Sequence, residues 1–513
     1  MRKTLAALAW AAIPALLLSA CNGNATGGSS GITPTTNGPA ASTHGRAHHN
    51  DNGAGDLHAG GATFPAYGYN LGDQPSGGYT TSQATPGPGS LLYNAAANNG
   101  DGNNYFYCLT GSGYGRHEFE GSVVTGGDAC QPLGQSPSGF GGRGNPIDFV
   151  GSDVAMPSTE YSTFETNYGG TYGDVLELPT YGGPIVIPYI NEGGNGLTGL
   201  GSKQLKLSTW TYCAIANGSI GYWDDDAITA DNGGVAVASH QPITFYYRSD
   251  GSGTTFLFEN FLKNGPKGCN QNYPSKYANA PYGNSASRNG AWPFPQVSVS
   301  TDLWTGPGTC ATCAGAPTSG STFTGESGNP GILACVQNEN CLTASAFPYA
   351  TGYAEGAWAA SAQSDGGPPV AQAALQSGGT FASPTDPNLV AGSLKKAAAS
   401  KIVYGEGGDG ITLGSSNPQC QLYVPPSAFD QAPGGDYPIV GLSYFLFYTK
   451  NNVRGGSNHL TDIKGLIQYL DSSAWNNALP NLEYTPLPAS TQKKVQQAAF
   501  GKGSHHTGAC LVS

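Results

Sequence analysis

The chain has few charged residues. Only 11% of its 513 residues are Asp, Glu, Lys or Arg, and Lys plus Arg number 21 against 33 Asp plus Glu. The net charge of -12 argues against nucleic acid and against an anionic membrane face as partners, because both attract basic surfaces. Gly and Pro are abundant, with 78 and 36 residues, which is a loop-rich composition. A chain of this length can bury a sizeable core and hold more than one domain.

The N-terminus has the pattern of a bacterial export signal. Two basic residues precede an apolar run over residues 4–18, which is too short to span a bilayer as a permanent helix. Leu18-Ser19-Ala20-Cys21 matches a lipobox. We therefore expect residues 1–20 to be a lipoprotein signal peptide and Cys21 to carry the lipid anchor; an ordinary secretory signal ending near Ala25 is the alternative. Either signal sends the mature chain to the periplasm, the outer membrane or the cell surface.

Residues 21–57 contain almost no large apolar side chain. Such a segment cannot offset its ordering entropy, so we expect a flexible tether. His44, His48 and His49 lie in it without carboxylate or thiol partners. We interpret them as solvated spacers, with weak metal binding as the alternative, and we expect neither a metal site nor a cofactor in the protein.

Ten cysteines follow Cys21, and an even set in an exported chain predicts up to five disulfides. The shortest closures are Cys108 with Cys130 and Cys335 with Cys341. Cys310-Ala311-Thr312-Cys313 has the spacing of a metal knuckle or a redox pair. No second close pair of Cys or His stands near it in the sequence at ligand spacing, which favours structural bridging.

The segment Arg248-Ser249-Asp250-Gly251-Ser252-Gly253-Thr254-Thr255-Phe256 is the most informative one. An apolar, strand-like run over residues 243–247 precedes it, and apolar residues at helical spacing follow, which predicts a strand, a polar turn and a helix. The first N–H groups of a helix have no intrahelical partner and attract anions, and glycines allow close approach to the backbone. Arg248 adds a permanently charged fork. The pattern predicts an oxyanion site, and an ordinary turn with a Ser or Thr N-cap is the alternative.

This segment resembles the second-domain phosphate loop of the periplasmic phosphate-binding proteins of phosphate ABC transporters. Three other segments resemble family motifs in the same chain order. Gly60-Gly61-Ala62-Thr63-Phe64-Pro65-Ala66 is similar to the opening of the mature family domain, Gly111-Ser112-Gly113 to its Gly-Ser-Gly turn, and Val150-Gly151-Ser152-Asp153 to the strand that carries its buried acid. The resemblance runs from about His58 to about Phe500.

The resemblance implies a set of phosphate-binding residues, namely Thr63, Phe64, Ser112, Asp153, Arg248, Asp250, Ser252, Gly253 and Thr254. Hydroxyls, backbone N–H groups and the guanidinium would donate to the four phosphate oxygens. Asp153 is an acceptor among these donors, which makes sense only for a ligand that carries a proton. Phosphate does so near neutral pH and sulfate does not, so Asp153 would discriminate between them. A helix cap or a surface acid is the alternative role for Asp153.

The implied fold is α/β, with two lobes of mixed sheets, a hinge between them and the ligand cleft at strand ends, as in a type II periplasmic binding protein. Residues 58–185 and 431–513 would form lobe I and residues 186–430 lobe II. Insertions over about 265–343 and 361–430 make the chain longer than transporter-associated members and leave docking on a permease open. We expect a short helix around residues 393–399 and an amphipathic helix from Leu460 to Ser472.

The function implied is binding of inorganic phosphate by a surface-anchored, monomeric receptor, which either feeds a phosphate ABC permease or scavenges phosphate. A secreted phosphatase on the same scaffold is the alternative, and a surface protein that has lost its ligand is another. The motifs assign no Ser to a neighbouring His base, so no catalytic residue is assigned. Asp153 is the one candidate base, and we expect Arg248 to keep its pKa low.

Overall fold

A computed structural model of the protein describes residues 56–72, 86–122, 147–192, 195–216, 218, 220–248, 251–264, 322–326, 328–338, 341, 346–362, 368–425, 428, 434–454, 457–501 and 508–511. Cys21, Asp250, Cys130, the pair Cys310 and Cys313, the tether histidines and most of the insertion predicted over 265–343 lie outside these residues. Among the described residues, no helix is both long enough and apolar enough to cross a membrane.

The described residues form α/β architecture with sheets of two to seven strands. The strands are β1 Leu57–Gly61, β2 Tyr105–Leu109, β3 Phe149–Ser152, β4 Val175–Val186, β5 Pro188–Glu192, β6 Asn195–Gly196, β7 Lys206–Leu207, β8 Thr244–Arg248, β9 Thr322–Glu326, β10 Ala350–Gly352, β11 Ala354–Glu355, β12 Val370–Gln372, β13 Ala374–Ser377, β14 Thr380–Ala382, β15 Val403–Tyr404, β16 Leu422–Tyr423, β17 Val440–Tyr448, β18 Val453–Arg454, β19 Ser457–Asn458 and β20 Thr485–Pro486. The α-helices are α1 Leu91–Asn99, α2 Ser112–Phe119, α3 Ser158–Phe164, α4 Gly170–Tyr172, α5 Thr209–Ala216, α6 Asp226–Asp231, α7 Gly253–Asn264, α8 Gly328–Gln337, α9 Gly356–Ser361, α10 Pro387–Ser400, α11 Leu460–Leu470, α12 Ser473–Ala478 and α13 Ala489–Phe500.

The largest sheet has the order β11-β4-β17-β3-β1-β2, with β20 also paired to β4. β1 runs parallel to both β2 and β3, whereas β17 is antiparallel to β3 and β4. All residues of β4 and β17 are buried, so these long strands form the centre of the hydrophobic core. Since β1 has parallel neighbours on both sides, the chain leaves β1, β2 and β3 at one edge of the sheet, where ligand sites in open α/β sheets occur.

A second, smaller sheet has the order β10-β8-β9, and all three strands are parallel. β8 lies in its centre, with a run of five buried residues that ends at Arg248. α7 follows after a short turn and buries Leu257, Phe258, Phe261 and Leu262. The predicted order of strand, polar turn and helix is therefore confirmed.

Two regions depart from the sequence-based prediction. β1 begins at Leu57, which is completely buried, so this residue does not belong to the predicted tether. Residues 387–425 were assigned to lobe II, but α10 and β16 pack against β4 of the largest sheet. Leu394 of α10 lies on Gly182 of β4, and Gln421 donates through Nε2 to the Val175 carbonyl, at 2.6 Å. The reason is long-range packing, which chain order does not reveal; the lobe boundaries themselves remain a prediction.

Disulfides close two parts of this fold. Cys335 is bonded to Cys341, as predicted from their short separation, and Cys420 is bonded to Cys510 across 90 positions. Cys108 is also disulfide-bonded, but its predicted partner Cys130 lies outside the described residues. The Cys420–Cys510 bond ties the segment after β15 to the C-terminal end of the chain.

Candidate functional site

The loop after β1 is held by four aromatic side chains. The backbone carbonyls of four consecutive residues each accept a hydrogen bond from a buried aromatic donor. The pairs are Tyr107 Oη to Ala62 O (2.9 Å), Trp358 Nε1 to Thr63 O (2.7 Å), Tyr484 Oη to Phe64 O (2.7 Å) and Tyr181 Oη to Pro65 O (2.7 Å). Because each carbonyl is satisfied by the protein, the conformation of the loop that carries Thr63 and Phe64 is fixed before any ligand binds.

The approach of β1 to β3 requires glycine at position 61. Gly61 has φ of +128°, and a Cβ there would lie 2.1 Å from the Gly151 carbonyl oxygen. The Gly61 carbonyl accepts hydrogen bonds from the backbone of Thr110 and Gly111, at 3.1 and 2.8 Å. The loops after β1, β2 and β3 therefore leave the sheet side by side, which brings Thr63, Ser112 and Asp153 to one edge.

Ser112 and Asp153 are hydrogen-bonded to each other. The Ser112 hydroxyl lies 3.3 Å from Asp153 Oδ2, and the Asp153 backbone N–H donates to Ser112 Oγ at 3.2 Å. Both side chains are buried. Ser112 is the first residue of α2, so the backbone N–H groups of that helix start beside the carboxylate.

Arg116 stabilises the packing around Ser112 and Asp153, a role that the sequence motifs did not reveal. It lies one turn along α2 and is completely buried. Its Nε is 2.7 Å from Glu160 Oε2, and its Nη1 donates to Ser152 Oγ at 2.8 Å. A buried guanidinium with a carboxylate partner and a second acceptor is well satisfied, so we assign Arg116 to holding α2, α3 and the end of β3 together.

The turn between β8 and α7 presents the second set of predicted residues. Arg248, Ser252 and Thr254 are buried, and Asp250 lies outside the described residues. The Thr255 backbone N–H donates to Ser252 Oγ at 3.1 Å, which closes the first turn of α7. The Tyr353 hydroxyl accepts from the Arg248 backbone N–H at 3.1 Å and is 2.7 Å from Thr255 Oγ1, so it joins both ends of the turn.

The two sets of residues meet at Gly253. A Cβ on this glycine would lie 2.6 Å from Asp153 Cβ and 2.8 Å from Ser112 Oγ. The Gly113 backbone N–H also points to the Gly251 carbonyl, at 3.4 Å. The start of α7 thus packs directly on Asp153 and Ser112 in the structure, and a side chain at position 253 would push the two loops apart.

Burial dominates the ionisation of Asp153. It raises the pKa from the ordinary value of 3.8 to about 7, although Arg248, the Ser112 hydroxyl and Arg116 all act in the opposite direction. The expectation that Arg248 keeps this pKa low is therefore wrong, because the cost of burying a carboxylate exceeds the attraction of the nearby guanidinium.

Some buried polar atoms of the candidate site make no hydrogen bond to the described residues. Asp153 Oδ1 and Thr254 Oγ1 are buried, and neither has a hydrogen-bond partner among the described residues. Buried polar atoms without partners are costly in a folded protein. One acceptor, one hydroxyl, a buried guanidinium and the N-terminus of α7 are suited to a small oxyanion that carries a proton.

Most of the predicted site residues are thus placed at this junction. Ser112, Asp153 and Gly253 are in direct contact, and Arg248 acts on Asp153 electrostatically. Thr63 contacts α8, which lies next to the small sheet: Asn329 Nδ2 donates to Thr63 Oγ1 at 3.1 Å. Sequence reasoning missed Arg116, which lies one turn from Ser112 on α2. It also missed Asn329 and the aromatic donors, which only long-range topology brings to the loops.

One cluster near the site has metal-ligand chemistry. Potential ligand atoms of Glu326, Cys335 and Cys341 lie within 4.8 Å of one another. However, the two sulfur atoms are joined in a disulfide, which removes the thiolates that would bind a metal. We therefore assign no metal role to this cluster.

Comparisons with known proteins agree with the architecture. The sequence profile of the PBP superfamily domain matches residues 80–473. The chain is 29% identical over 171 residues to alkaline phosphatase L of Pseudomonas aeruginosa, covering 33% of this chain and 38% of that protein. It is 40% identical over 120 residues to phosphate-binding protein PstS 3 of Mycobacterium leprae, covering 23% of this chain and 29% of that protein. The alignments thus span about a third of these relatives' lengths.

Solved structures show the same fold over most of their length. The ancestral soluble variant of the Human Phosphate Binding Protein has a TM-score of 0.53 at 19% identity, covering 89% of this chain and 96% of that one. The periplasmic phosphate-binding protein PfluDING has a TM-score of 0.52 at 19% identity, covering 88% and 95%. Because the superfamily profile matches well over half of the sequence, this protein belongs to the PBP superfamily.

Proposed function

We propose that the protein binds inorganic phosphate at the junction of the β1, β2 and β3 loops with the start of α7. The observation that carries this proposal is the contact of Gly253 with Asp153 and Ser112. It places backbone N–H groups of a helix start, which favour anions, beside a carboxylate, which repels them. That combination suits a protonated anion, which can accept hydrogen bonds from the N–H groups and donate one to the carboxylate.

Phosphate fits the combination better than sulfate does. Four of the proposed ligand residues, Thr63, Ser112, Ser252 and Thr254, carry hydroxyls, and Arg248 carries a permanent charge. Asp153 would accept a hydrogen bond from the protonated oxygen of phosphate, whereas an unprotonated sulfate would have no hydrogen to donate to the carboxylate. Phe64 and Gly253 would contribute backbone N–H groups, and Asp250 belongs to the proposed set by its position in the motif.

We further propose that the protein serves phosphate uptake or scavenging outside the cytoplasm, as a monomer anchored by lipid at Cys21. Phosphate-binding relatives and the lipobox motif support this role. A phosphate ABC permease is the proposed partner.

Replacing Arg248 tests the proposed site. We expect Arg248→Ala to weaken phosphate binding by roughly a hundredfold or more, since a charge-assisted bidentate bond to a buried anion is lost. Affinity would be measured by isothermal titration calorimetry on phosphate-free protein. Lys203→Ala is the matched control, because Lys203 is an exposed cation. Equal phosphate affinity in both variants would place the site elsewhere.

Phosphate-ester hydrolysis is the second candidate function. The Ser112 hydroxyl lies 3.3 Å from Asp153 Oδ2, and the Asp153 pKa of about 7 suits a general base. The resemblance of part of the chain to alkaline phosphatase L points the same way. Hydrolysis of p-nitrophenyl phosphate by the unaltered protein but not by Ser112→Ala would support this activity, and no turnover by either would dismiss it.

A further inference from the structure

Asn329 links the loop after β1 to the elements around the small sheet. It is the second residue of α8, is completely buried and makes two side-chain hydrogen bonds in opposite directions. Its Nδ2 donates to Thr63 Oγ1 at 3.1 Å, and its Oδ1 accepts from the Glu355 backbone N–H at 3.0 Å. The second bond fixes which end of the amide carries the nitrogen, so the donor must face Thr63.

The donor on Asn329 determines what the Thr63 hydroxyl can do. A hydroxyl has one hydrogen and two acceptor lone pairs. Asn329 Nδ2 donates to one lone pair at 3.1 Å, and the Asn329 backbone N–H approaches the same oxygen more weakly, at 3.5 Å. Because both groups are donors, the hydrogen of Thr63 remains available to another acceptor. The backbone and side chain of Thr63 are both restrained. Trp358 Nε1 donates to the Thr63 carbonyl at 2.7 Å, and the Thr63 methyl group lies close to Gly328.

The contacts around Glu355 hold Asn329 itself in place. The Glu355 carboxylate caps α9 by accepting from the backbone N–H groups of Ala357 and Trp358. Burial raises its pKa well above the ordinary value, although the backbone N–H groups of Ala357 and Trp358 act in the opposite direction. Tyr484 Oη lies 3.3 Å from Glu355 Oε2 and also donates to the Phe64 carbonyl, which closes a ring of contacts back to the loop.

We infer that Asn329 is a positioning residue for anion binding, which orients the Thr63 hydroxyl as a hydrogen-bond donor toward the ligand. The inference rests on the proposed function, because it assumes that a phosphate oxygen is the acceptor. Asn329 acts through Thr63 and does not touch the anion. The bond also joins the loop after β1 to α8.

Substitutions at Asn329 and Thr63 test the inference. Asn329→Asp keeps the acceptor for the Glu355 N–H but replaces the donor with an acceptor, so Thr63 would turn its hydrogen away from the anion. We expect phosphate affinity to fall roughly tenfold or more, as for a lost hydrogen bond to a charged ligand. Asn388→Asp is the matched control, because Asn388 is exposed on α10. Affinity would be measured by phosphate titration of the full-length protein.

A double-mutant cycle separates positioning from a structural role. Asn329→Ala should weaken phosphate binding roughly tenfold in the unaltered protein but less than about twofold beside Thr63→Val, because the hydroxyl that it orients is then absent. An equal loss of phosphate affinity with and without Thr63→Val would overturn the inference. Equal phosphate affinities of the Asn329→Asp and Asn388→Asp variants would also overturn it. If Asn329→Ala does not fold, the isosteric Asn329→Asp carries the test. Absence of phosphate binding by the unaltered protein would instead reject the proposed function.

Discussion

At the scale of single residues, Asp153 decides the chemistry of the candidate site. It is a buried carboxylate in contact with Ser112 and under the influence of Arg248, and its pKa is raised to about 7. The proposed selectivity requires the ionised form, which accepts a hydrogen bond from a protonated anion and cannot donate one. The nearby Arg248 guanidinium favours that form, and the selectivity should therefore be sensitive to substitution at this position.

We expect Asp153→Asn to preserve the fold and to erode discrimination against sulfate. The amide can donate to an unprotonated oxygen, which the ionised carboxylate cannot do, so the repulsion that excludes sulfate is removed. Competition titration of phosphate-loaded protein with sulfate would measure the effect. An unchanged preference for phosphate in the variant would show that Asp153 has no part in selectivity.

The raised pKa of Asp153 also predicts how stability depends on pH. The native-state pKa of about 7 exceeds the ordinary value of 3.8, so the native protein holds a proton that the unfolded chain has already released. The free energy of unfolding should therefore fall as pH rises from about 4 to about 7. Asp153→Asn does not titrate, and we expect its loss of stability between about pH 5 and about pH 8 to be smaller by roughly 2–3 kcal/mol.

Urea unfolding of phosphate-free protein at both pH values measures this difference. The comparison between the variant and the unaltered protein cancels other buried acids with raised pKa values, such as Glu177 and Asp471. Parallel loss of stability in the two proteins would mean that Asp153 keeps an ordinary pKa.

At the scale of elements, the site is made where α7 begins against the ends of β3 and α2. The residues that form the strand, turn and helix were predictable because they are adjacent in the sequence, and apolar periodicity and turn chemistry act locally. The same holds for α11, whose buried Ile463, Leu466 and Ile467 follow helical spacing as predicted. Asn329, Trp358 and Tyr484 were not predictable, because nothing in their own neighbourhood indicates that they contact Thr63 and Phe64.

We expect Gly253→Ala to disrupt binding without unfolding the protein. A Cβ at this position would lie 2.6 Å from Asp153 Cβ, so the start of α7 and the β3 loop could not keep their contact. Phosphate affinity should fall by roughly a hundredfold, since several hydrogen bonds to the anion are displaced together. Gly170→Ala is the control, because Gly170 is helical and has nothing within 4 Å of the added carbon. Similar phosphate affinities for the two variants would contradict the close packing at Gly253.

At the scale of the whole molecule, two sheets supply the two sides of one site. β1, β2 and β3 of the largest sheet place Thr63, Ser112 and Asp153, while β8 of the small sheet places Arg248 and the start of α7. The fold class could be predicted from the order of motifs along the chain. The packing of residues 387–425 on β4 could not, because it depends on contacts between distant segments and on the Cys420–Cys510 bond.

The decisive measurement is calorimetric titration of the unaltered, phosphate-free protein with phosphate and, in parallel, with sulfate. We expect one phosphate bound per chain with high affinity and no heat from sulfate at the same concentrations, because an ionised Asp153 accepts a hydrogen bond from protonated phosphate and sulfate has no proton to donate. Equal binding of both anions would contradict the proposed role of Asp153, and absence of phosphate binding would contradict the proposed function.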